Sequence, residues 1–135
     1  MALRLDTVAE WLEAVKAGDG PDILCADALR ELERACEKFP MFPDTFTVSG
    51  LDRVRRTLAT ARVENDEDGG ERATCATALQ EEYSEMAEAV MTGDGHAARK
   101  GIVRCIAMLL RLYIHLPHYC ETEQKERAKE VSHGG

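Results

Sequence analysis

Residues 75–90 read CATALQEEYSEMAEAV. Cys75, Leu79 and Met86 recur at helical spacing among helix-favouring Ala and Glu residues, so the stretch predicts an amphipathic helix. Glu82 falls on the same stripe as these apolar side chains. Because burial of an unpaired carboxylate costs several kcal/mol, we expect Glu82 to meet a metal ion, a base or a hydrogen-bond donor, or to be protonated.

The surrounding sequence favours helices as well. Aromatic residues make up only 5% of the 135 residues, whereas pleated sheets prefer β-branched and aromatic side chains. We therefore expect an all-α fold and one domain over residues 1–135. We divide it into an N-terminal two-helix extension with a Phe- and Pro-rich loop (1–46), a helical core (51–116) and a polar C-terminal helix and tail (117–135).

Capping residues, glycines and prolines set the predicted helix limits. The acidic run from Glu64 to Gly70, which ends in two glycines, is the strongest break in the chain. The first three predicted helices lie near 8–17, from Pro21 to before Pro40 and from Ser49 to before Glu64. The next three run from about Arg72 to Thr92, from about His96 to Leu116 and from Glu121 to Val131. Pro117 is predicted to stop the fifth helix.

The charge is unevenly distributed along the chain. The net charge is −8 at pH 7, and residues 64–94 alone carry ten acidic side chains and one basic side chain. Residues 95–116 carry four basic side chains and no acidic one. Because an acidic surface repels phosphate backbones, we expect no binding of duplex nucleic acid and favour a metal ion or a basic protein surface.

The most apolar run, Ile102–Leu116, is 15 residues long and contains Arg104 and Arg111. It is too short and too charged to span a membrane, and the N-terminus lacks the apolar segment of a signal peptide. The five cysteines form no CxxC pair and are odd in number, which indicates reduced thiols. We therefore expect a cytoplasmic protein that does not bind membranes.

All three phenylalanines of the chain, Phe39, Phe42 and Phe46, lie within eight residues, and two prolines among them prevent a helix. This apolar loop has two interpretations. If it is exposed, it is a contact surface for a partner. If it folds back, Phe39 and Phe42 close the core over the helices.

Glu82 and Glu85 are one helical turn apart and can hold one divalent ion together, as carboxylates do in helical metal sites. Glu81 and Glu88 flank them on the more exposed side. A solvated acidic face is the alternative, since Glu-rich helices are common. Glu82 does not fit that alternative, because it lies inside the apolar stripe.

Three segments together carry a resemblance to a known family. The run LQEEYSEMAEAV (79–90), the Gly93–Asp94 turn and the apolar segment 102–116 resemble the core of the MazG-like all-α nucleoside triphosphate pyrophosphohydrolases. The preceding segment 55–68, a basic helix end followed by an acidic loop, is similar to what comes before that core in phage-borne members. The resemblance covers residues 51–116. It implies a MazG-like helical bundle and a dimer or higher oligomer, because that family buries its core helices between subunits.

In that family, two acidic pairs on successive helices hold magnesium against the triphosphate. Glu82 and Glu85 match the first pair, and Gly101 and Arg104 stand where the family has the second. Because magnesium relies on several oxygen ligands, the resemblance implies weak magnesium binding and impaired catalysis.

Lys100, Arg104 and Arg111 share one face of the fifth predicted helix, at spacings of four and seven residues. They are candidate phosphate contacts or candidate salt-bridge partners of the acids. A guanidinium from Arg104 that bridges Glu82 and Glu85 would take the place of the metal.

Two functions are consistent with these features. The first is a MazG-like protein that binds nucleotides or hydrolyses nucleoside triphosphates, with impaired catalysis. The second is a non-enzymatic acidic interaction protein, such as a phage-borne inhibitor of a host defence system or an immunity-type protein, that binds a basic partner surface.

Overall fold

The computed structural model describes residues 21–66, 70 and 73–134. Its regular elements in these ranges are all helices, which confirms the all-α class, and none of them is both long and apolar enough to cross a bilayer. The predicted helix at 8–17 lies outside the described residues. The helices are α1 (Pro21–Lys38), α2 (Leu51–Asp66), α3 (Cys75–Met91), α4 (Gly95–Ile114) and α5 (Leu116–Gly134).

The chain divides into two compact units. The central unit, Phe39–Leu109, contains α2, α3 and α4 as far as Leu109. The terminal unit, Met1–Lys38 with Leu110–Gly135, contains α1, the end of α4 and α5 among its described residues. The limits of these units differ from the expected divisions at residues 46 and 117.

Helices α2 and α3 form an antiparallel pair that provides most of the core of the central unit. Leu58 and Ala61 of α2 are buried, and so are Ser84 and Ala87 of α3. Small side chains on α3 allow the two helix backbones to approach closely. The buried Ser84 hydroxyl accepts a hydrogen bond from the Gln80 amide at 3.1 Å, so its burial costs little.

The predicted stripe of α3 is out of phase with its most buried face. Leu79, Glu82 and Met86 are half-buried, whereas Ser84 and Ala87 are buried. This difference arises because α3 packs against α2 on one side and meets α4 on another. The smallest side chains therefore lie where the backbones are closest, and the larger apolar ones remain partly open.

Helix α2 continues to Asp66, beyond its predicted end before Glu64. The Asn65 side-chain amide donates to the Thr77 carbonyl at 3.1 Å and to the Glu81 carboxylate at 3.4 Å. These bonds tie the last turn of α2 to α3. The local acidic run does not reveal them, because the partners are 12 and 16 residues away in sequence.

Helix α3 begins at Cys75, later than the predicted start near Arg72. Thr74 is its N-cap, and its hydroxyl accepts from the Thr77 amide at 3.1 Å. The Thr77 hydroxyl accepts in turn from the Thr74 amide at 2.9 Å. This reciprocal capping box sets the first residue of the helix.

The Gly93–Asp94 turn ends α3 and starts α4. Gly93 has φ +79°, in the left-handed region that favours glycine after a helix. Asp94 then caps α4, because its carboxylate accepts from the Ala97 amide at 3.1 Å. Local helix capping therefore explains both residues of the turn.

Helices α3 and α4 approach each other closely at Gly101. Gly101 and Ala98 of α4 are buried. A Cβ atom at position 101 would lie 2.7 Å from Cβ and 3.0 Å from Cα of Met86. Because backbone atoms of α3 close this contact, only glycine fits at position 101 without movement of a helix.

The fifth predicted helix ends close to its predicted limit, at Ile114 rather than Leu116, but the chain is helical again around Pro117. Helix α4 ends one residue before His115 and α5 begins one residue after it, so Pro117 lies in the first turn of α5. Proline is tolerated there because the first turn has no intrahelical partner for its missing N–H. Helix α5 is also longer than the predicted segment Glu121–Val131.

The predicted apolar stripe of α1 is exposed. Leu29 and Leu32 are 66% and 59% exposed, and Cys25 and Cys36 are exposed with them. The periodicity correctly predicted the helix Pro21–Lys38 but not its burial. Among the described residues, the buried side chains all belong to the central unit.

Candidate functional site

Four glutamates of α3 form the candidate site that the sequence predicted. Glu81, Glu82, Glu85 and Glu88 are half-buried and belong to the central unit. The periodicity of α3 directs Glu85 and Glu88 toward arginines of α2 and brings Glu82 close to α4. The four side chains therefore have different environments.

The glutamates that face α2 are held by arginines. The Arg62 guanidinium donates to Glu85 at 3.1 Å, and the Arg55 Nε donates to Glu88 at 3.2 Å. Arg104 of α4 approaches the second oxygen of Glu85 to 3.9 Å. Glu85 thus lies between two guanidinium groups, one from each neighbouring helix.

The arginines of α2 are the site residues that sequence reasoning missed. It placed the basic partners of the acids on the fifth predicted helix, whereas Arg55 and Arg62 make the two shorter contacts. Their spacing of seven residues does place them on one face of α2. That spacing does not show which helix lies opposite.

In the described part of the chain, Glu82 has no such partner. Its Oε2 is buried without a hydrogen bond. Burial is the largest cause that raises the pKa of Glu82, the neighbouring Glu85 and Glu81 carboxylates raise it further, and Arg104 opposes them. The protonated form of Glu82 is therefore favoured more than in an ordinary glutamate.

Cys105 of α4 lies in the same environment as Glu82. Burial raises the pKa of the Cys105 thiol, and the charge of Glu82 raises it further. Both groups are therefore shifted toward their neutral forms, which reduces the electrostatic cost of their proximity.

Arg104 was expected to bridge Glu82 and Glu85. Its ion pair is with Glu85, at 3.9 Å, and its effect on Glu82 is electrostatic. The Arg104 side chain is 59% exposed. A solvent-screened pair of this kind contributes about 0–1 kcal/mol, well below the cost of breaking a buried pair.

The other two cations of the predicted basic face lie in different places. Lys100 is exposed and lines a shallow hollow of about 360 Å³ with Arg99 and Arg104. Arg111 belongs to the terminal unit. There, burial lowers the pKa of His115, and the charge of Arg111 lowers it further.

The donor set does not fit the magnesium site that the resemblance implies. In the described part of the chain, no three His, Cys, Asp or Glu side chains are grouped to hold a metal ion. Of the candidate pair Glu82 and Glu85, Glu85 already has Arg62 and Arg104 at its oxygens. Magnesium requires near-octahedral oxygen geometry, and this pair offers it few free carboxylate oxygens.

A side chain at position 101 would collide with α3. The resemblance places an acid at this position, whereas a Cβ there would lie 3.0 Å from the Cα of Met86. An acidic side chain at position 101 would therefore require α3 and α4 to move apart.

The phenylalanine loop is non-helical, as predicted, and open to solvent. Phe42 is 93% exposed, and Phe39 and Phe46 are also exposed. The interpretation in which Phe39 and Phe42 close the core does not agree with this exposure. A partner contact through the three rings remains a prediction.

Comparison with known proteins returns no match for this chain, whether against family models, curated proteins or solved structures.

Proposed function

We propose that this chain is an α-helical interaction protein whose α3 glutamates hold its own helices together. The observation that carries the proposal is the pairing of Glu85 with Arg62 and Arg104 and of Glu88 with Arg55. These contacts engage Glu85, one of the two acids that a magnesium-dependent hydrolase would need free, and Glu88 beside it. The pairing of these acids with arginines of the same unit supports a structural role for them.

The interaction surface is the apolar face of α4. Ile102, Val103, Ile106 and Leu109 are 45%, 65%, 51% and 48% exposed. Ile102, Ile106 and Leu109 follow the four-then-three spacing of a coiled-coil seam. Single exposed apolar residues are ordinary, but a continuous stripe of them on one helix is typical of a contact surface.

A second copy of the chain is the partner that this face fits best. The buried apolar side chains of the described residues are one leucine and four alanines, a small core for a unit of this size. Small cores gain stability from oligomerisation. In a two-fold dimer each copy presents the same stripe, so the seam of one α4 packs against the seam of the other.

The test compares Ile106→Glu with Ala107→Glu, which adds the same charge at a neighbouring exposed position of α4. We expect the parent and Ala107→Glu to have the mass of a dimer by light scattering, and Ile106→Glu to be a monomer. The melting temperature of the parent should also rise with protein concentration.

Two results would contradict the assembly. One is a parent protein that remains monomeric, with a melting temperature independent of concentration. The other is an Ile106→Glu variant that keeps the mass of the dimer.

More specifically, this interaction protein is an inhibitor or immunity-type protein that binds a basic surface. The charge of residues 64–94, with ten acidic side chains and one basic side chain, supports this function. Opposite charges accelerate and orient such association.

Metal-dependent hydrolysis of nucleoside triphosphates is the second candidate, and one observation favours it. Glu82 has a buried carboxylate oxygen without a hydrogen bond, with Glu81 and Glu85 nearby. The test is pyrophosphate release from the common nucleoside triphosphates in magnesium. We expect background rates for the parent, and turnover that Glu82→Gln abolishes would favour this candidate instead.

A further inference from the structure

A groove between α2 and α3 is lined by basic and polar side chains that take no part in the proposed contact through α4. Its volume is about 650 Å³, within the usual range of small-molecule sites. Arg53, Arg56 and Thr57 of α2 line one wall, and Thr77 and Gln80 of α3 line the other. The groove therefore combines two cations with hydroxyl and amide groups.

A smaller recess adjoins this groove and shares Arg53, Thr57 and Gln80 with it. Its volume is about 160 Å³, and the rings of Phe46 and Tyr83 lie in its lining. A cavity of about 150 Å³ is known to hold one benzene ring. The recess is open to solvent on one side, and the Phe46 and Tyr83 rings in its lining offer a stacking surface for one aromatic ring.

The two arginines of the groove differ from the other two arginines of α2. Arg55 and Arg62 donate to glutamates of α3. Arg53 and Arg56 make no ion pair or side-chain hydrogen bond in the described part of the chain. Because they are three residues apart on one helix, their guanidinium groups point to the same side.

In the described part of the chain, Glu64 is the one acidic side chain that lines the groove. It lies eight residues after Arg56, which corresponds to about 12 Å along the helix axis. Asp52 lies next to Arg56 in a separate surface hollow. Arg53 is therefore the cation that belongs to both the groove and the aromatic recess.

We infer that the groove and its recess bind a small aryl phosphate with one aromatic ring. The ring occupies the recess at Phe46 and Tyr83, and the phosphate lies between Arg53 and Arg56 in the groove. Guanidinium forks match phosphate oxygens, and two of them balance the charge of a dianion. The Gln80 amide lies where the two parts of the ligand meet.

The probe is phenyl phosphate, followed by NMR titration of the backbone amides of the full chain. Phenol supplies the ring without the charge, and inorganic phosphate supplies the charge without the ring. We expect phenyl phosphate to bind with a Kd about tenfold lower than either fragment, and the shifts to concentrate at residues of α2 and α3. Equal binding of inorganic phosphate, or no saturable shift, would overturn the inference.

Arg53→Gln and Arg55→Gln form a matched pair on the same helix with the same change in charge. We expect Arg53→Gln to raise the Kd of phenyl phosphate about tenfold, the loss of one charge-assisted hydrogen bond. Arg55→Gln should leave the Kd within about twofold, since its partner is Glu88. An equal loss in both variants would show that general electrostatics, not this site, attracts the anion.

The helical content of each variant is measured by circular dichroism before titration. Arg53 and Arg55 are both exposed, so neither substitution removes a buried side chain. The Arg56→Gln variant provides a second measure of the same site, and we expect it to raise the Kd of phenyl phosphate as Arg53→Gln does. Binding by Arg56→Gln equal to that of the parent would exclude Arg56 from the phosphate contact and overturn the two-arginine site.

Discussion

For Glu82, the sequence correctly predicted partial burial, whereas the close ion pair that we expected with Arg104 does not form. Its position on the apolar stripe predicts a carboxyl group that is partly removed from water, and the structure confirms a buried oxygen. The expected close pair with Arg104 is instead an ion pair between Arg104 and Glu85. Burial of the Glu82 carboxylate therefore raises its pKa and favours the protonated form.

The raised pKa of Glu82 predicts a pH dependence of stability. Because the folded protein binds this proton more tightly than the unfolded chain, the contribution of Glu82 is fully present below its ordinary pKa and is lost as the pH rises through the raised value. We expect Glu82→Gln, which cannot ionise, to have a higher melting temperature than the parent at pH 7. The difference should shrink toward pH 4.

Glu85→Gln is the control for this prediction. It loses the charge that holds Arg62 and Arg104, so it should not be more stable than the parent at pH 7. A Glu82→Gln variant whose melting temperature differs from the parent equally at pH 4 and pH 7 would contradict the raised pKa.

At the scale of elements, the close approach of α3 and α4 depends on the absence of a side chain. The atoms that a new Cβ at position 101 would meet first are Cβ and Cα of Met86, which a change of rotamer cannot move. The helices must separate to admit even a methyl group. Close-packed interiors resist this kind of insertion.

Gly101→Ala should therefore destabilise the fold by about 1–3 kcal/mol, despite the better helix propensity of alanine. Gly95→Ala is the matched control, since the nearest atom to its Cβ is the flexible end of Arg99 at 3.9 Å. We expect this control to be neutral or slightly stabilising. Urea denaturation measures both, and equal midpoints for the two variants would contradict the close approach.

For the molecule as a whole, net charge and exposed apolar surface have opposite effects on self-association. Two copies that each carry a net charge of −8 repel at pH 7. In the proposed dimer, the stripes on the two α4 helices attract each other through apolar contact, which salt does not screen. Salt shortens the range of the repulsion to about 3 Å at 1 M, so the balance should move toward assembly.

We therefore expect the dimer dissociation constant to fall when salt is raised from low concentration to about 1 M. Sedimentation equilibrium at several protein concentrations measures this. Ile106→Glu should remain monomeric under both conditions. If salt weakened the parent dimer, ion pairs between copies would carry the assembly and the apolar seam would not.

Features that depend on near neighbours in sequence were predictable. The helix over Pro21–Lys38, the phenylalanine loop and the Gly93–Asp94 turn follow from spacing, proline chemistry and helix capping. Each depends on contacts within a few residues. Even there, the limits shifted where a distant contact intervened, as when Asn65 extends α2 by its bonds to α3.

Composition and spacing were enough to predict the all-α class, the positions of most described helices and an acid, Glu82, on an apolar stripe. The pairing of Glu85 with Arg62, 23 residues away in sequence, and the contact of Gly101 with Met86 follow from the packing of the helices. Helical periodicity shows which residues share a face, but it does not show which helix lies opposite that face. That choice depends on how backbones pack, and the packing is set by small buried residues whose own pattern is weak.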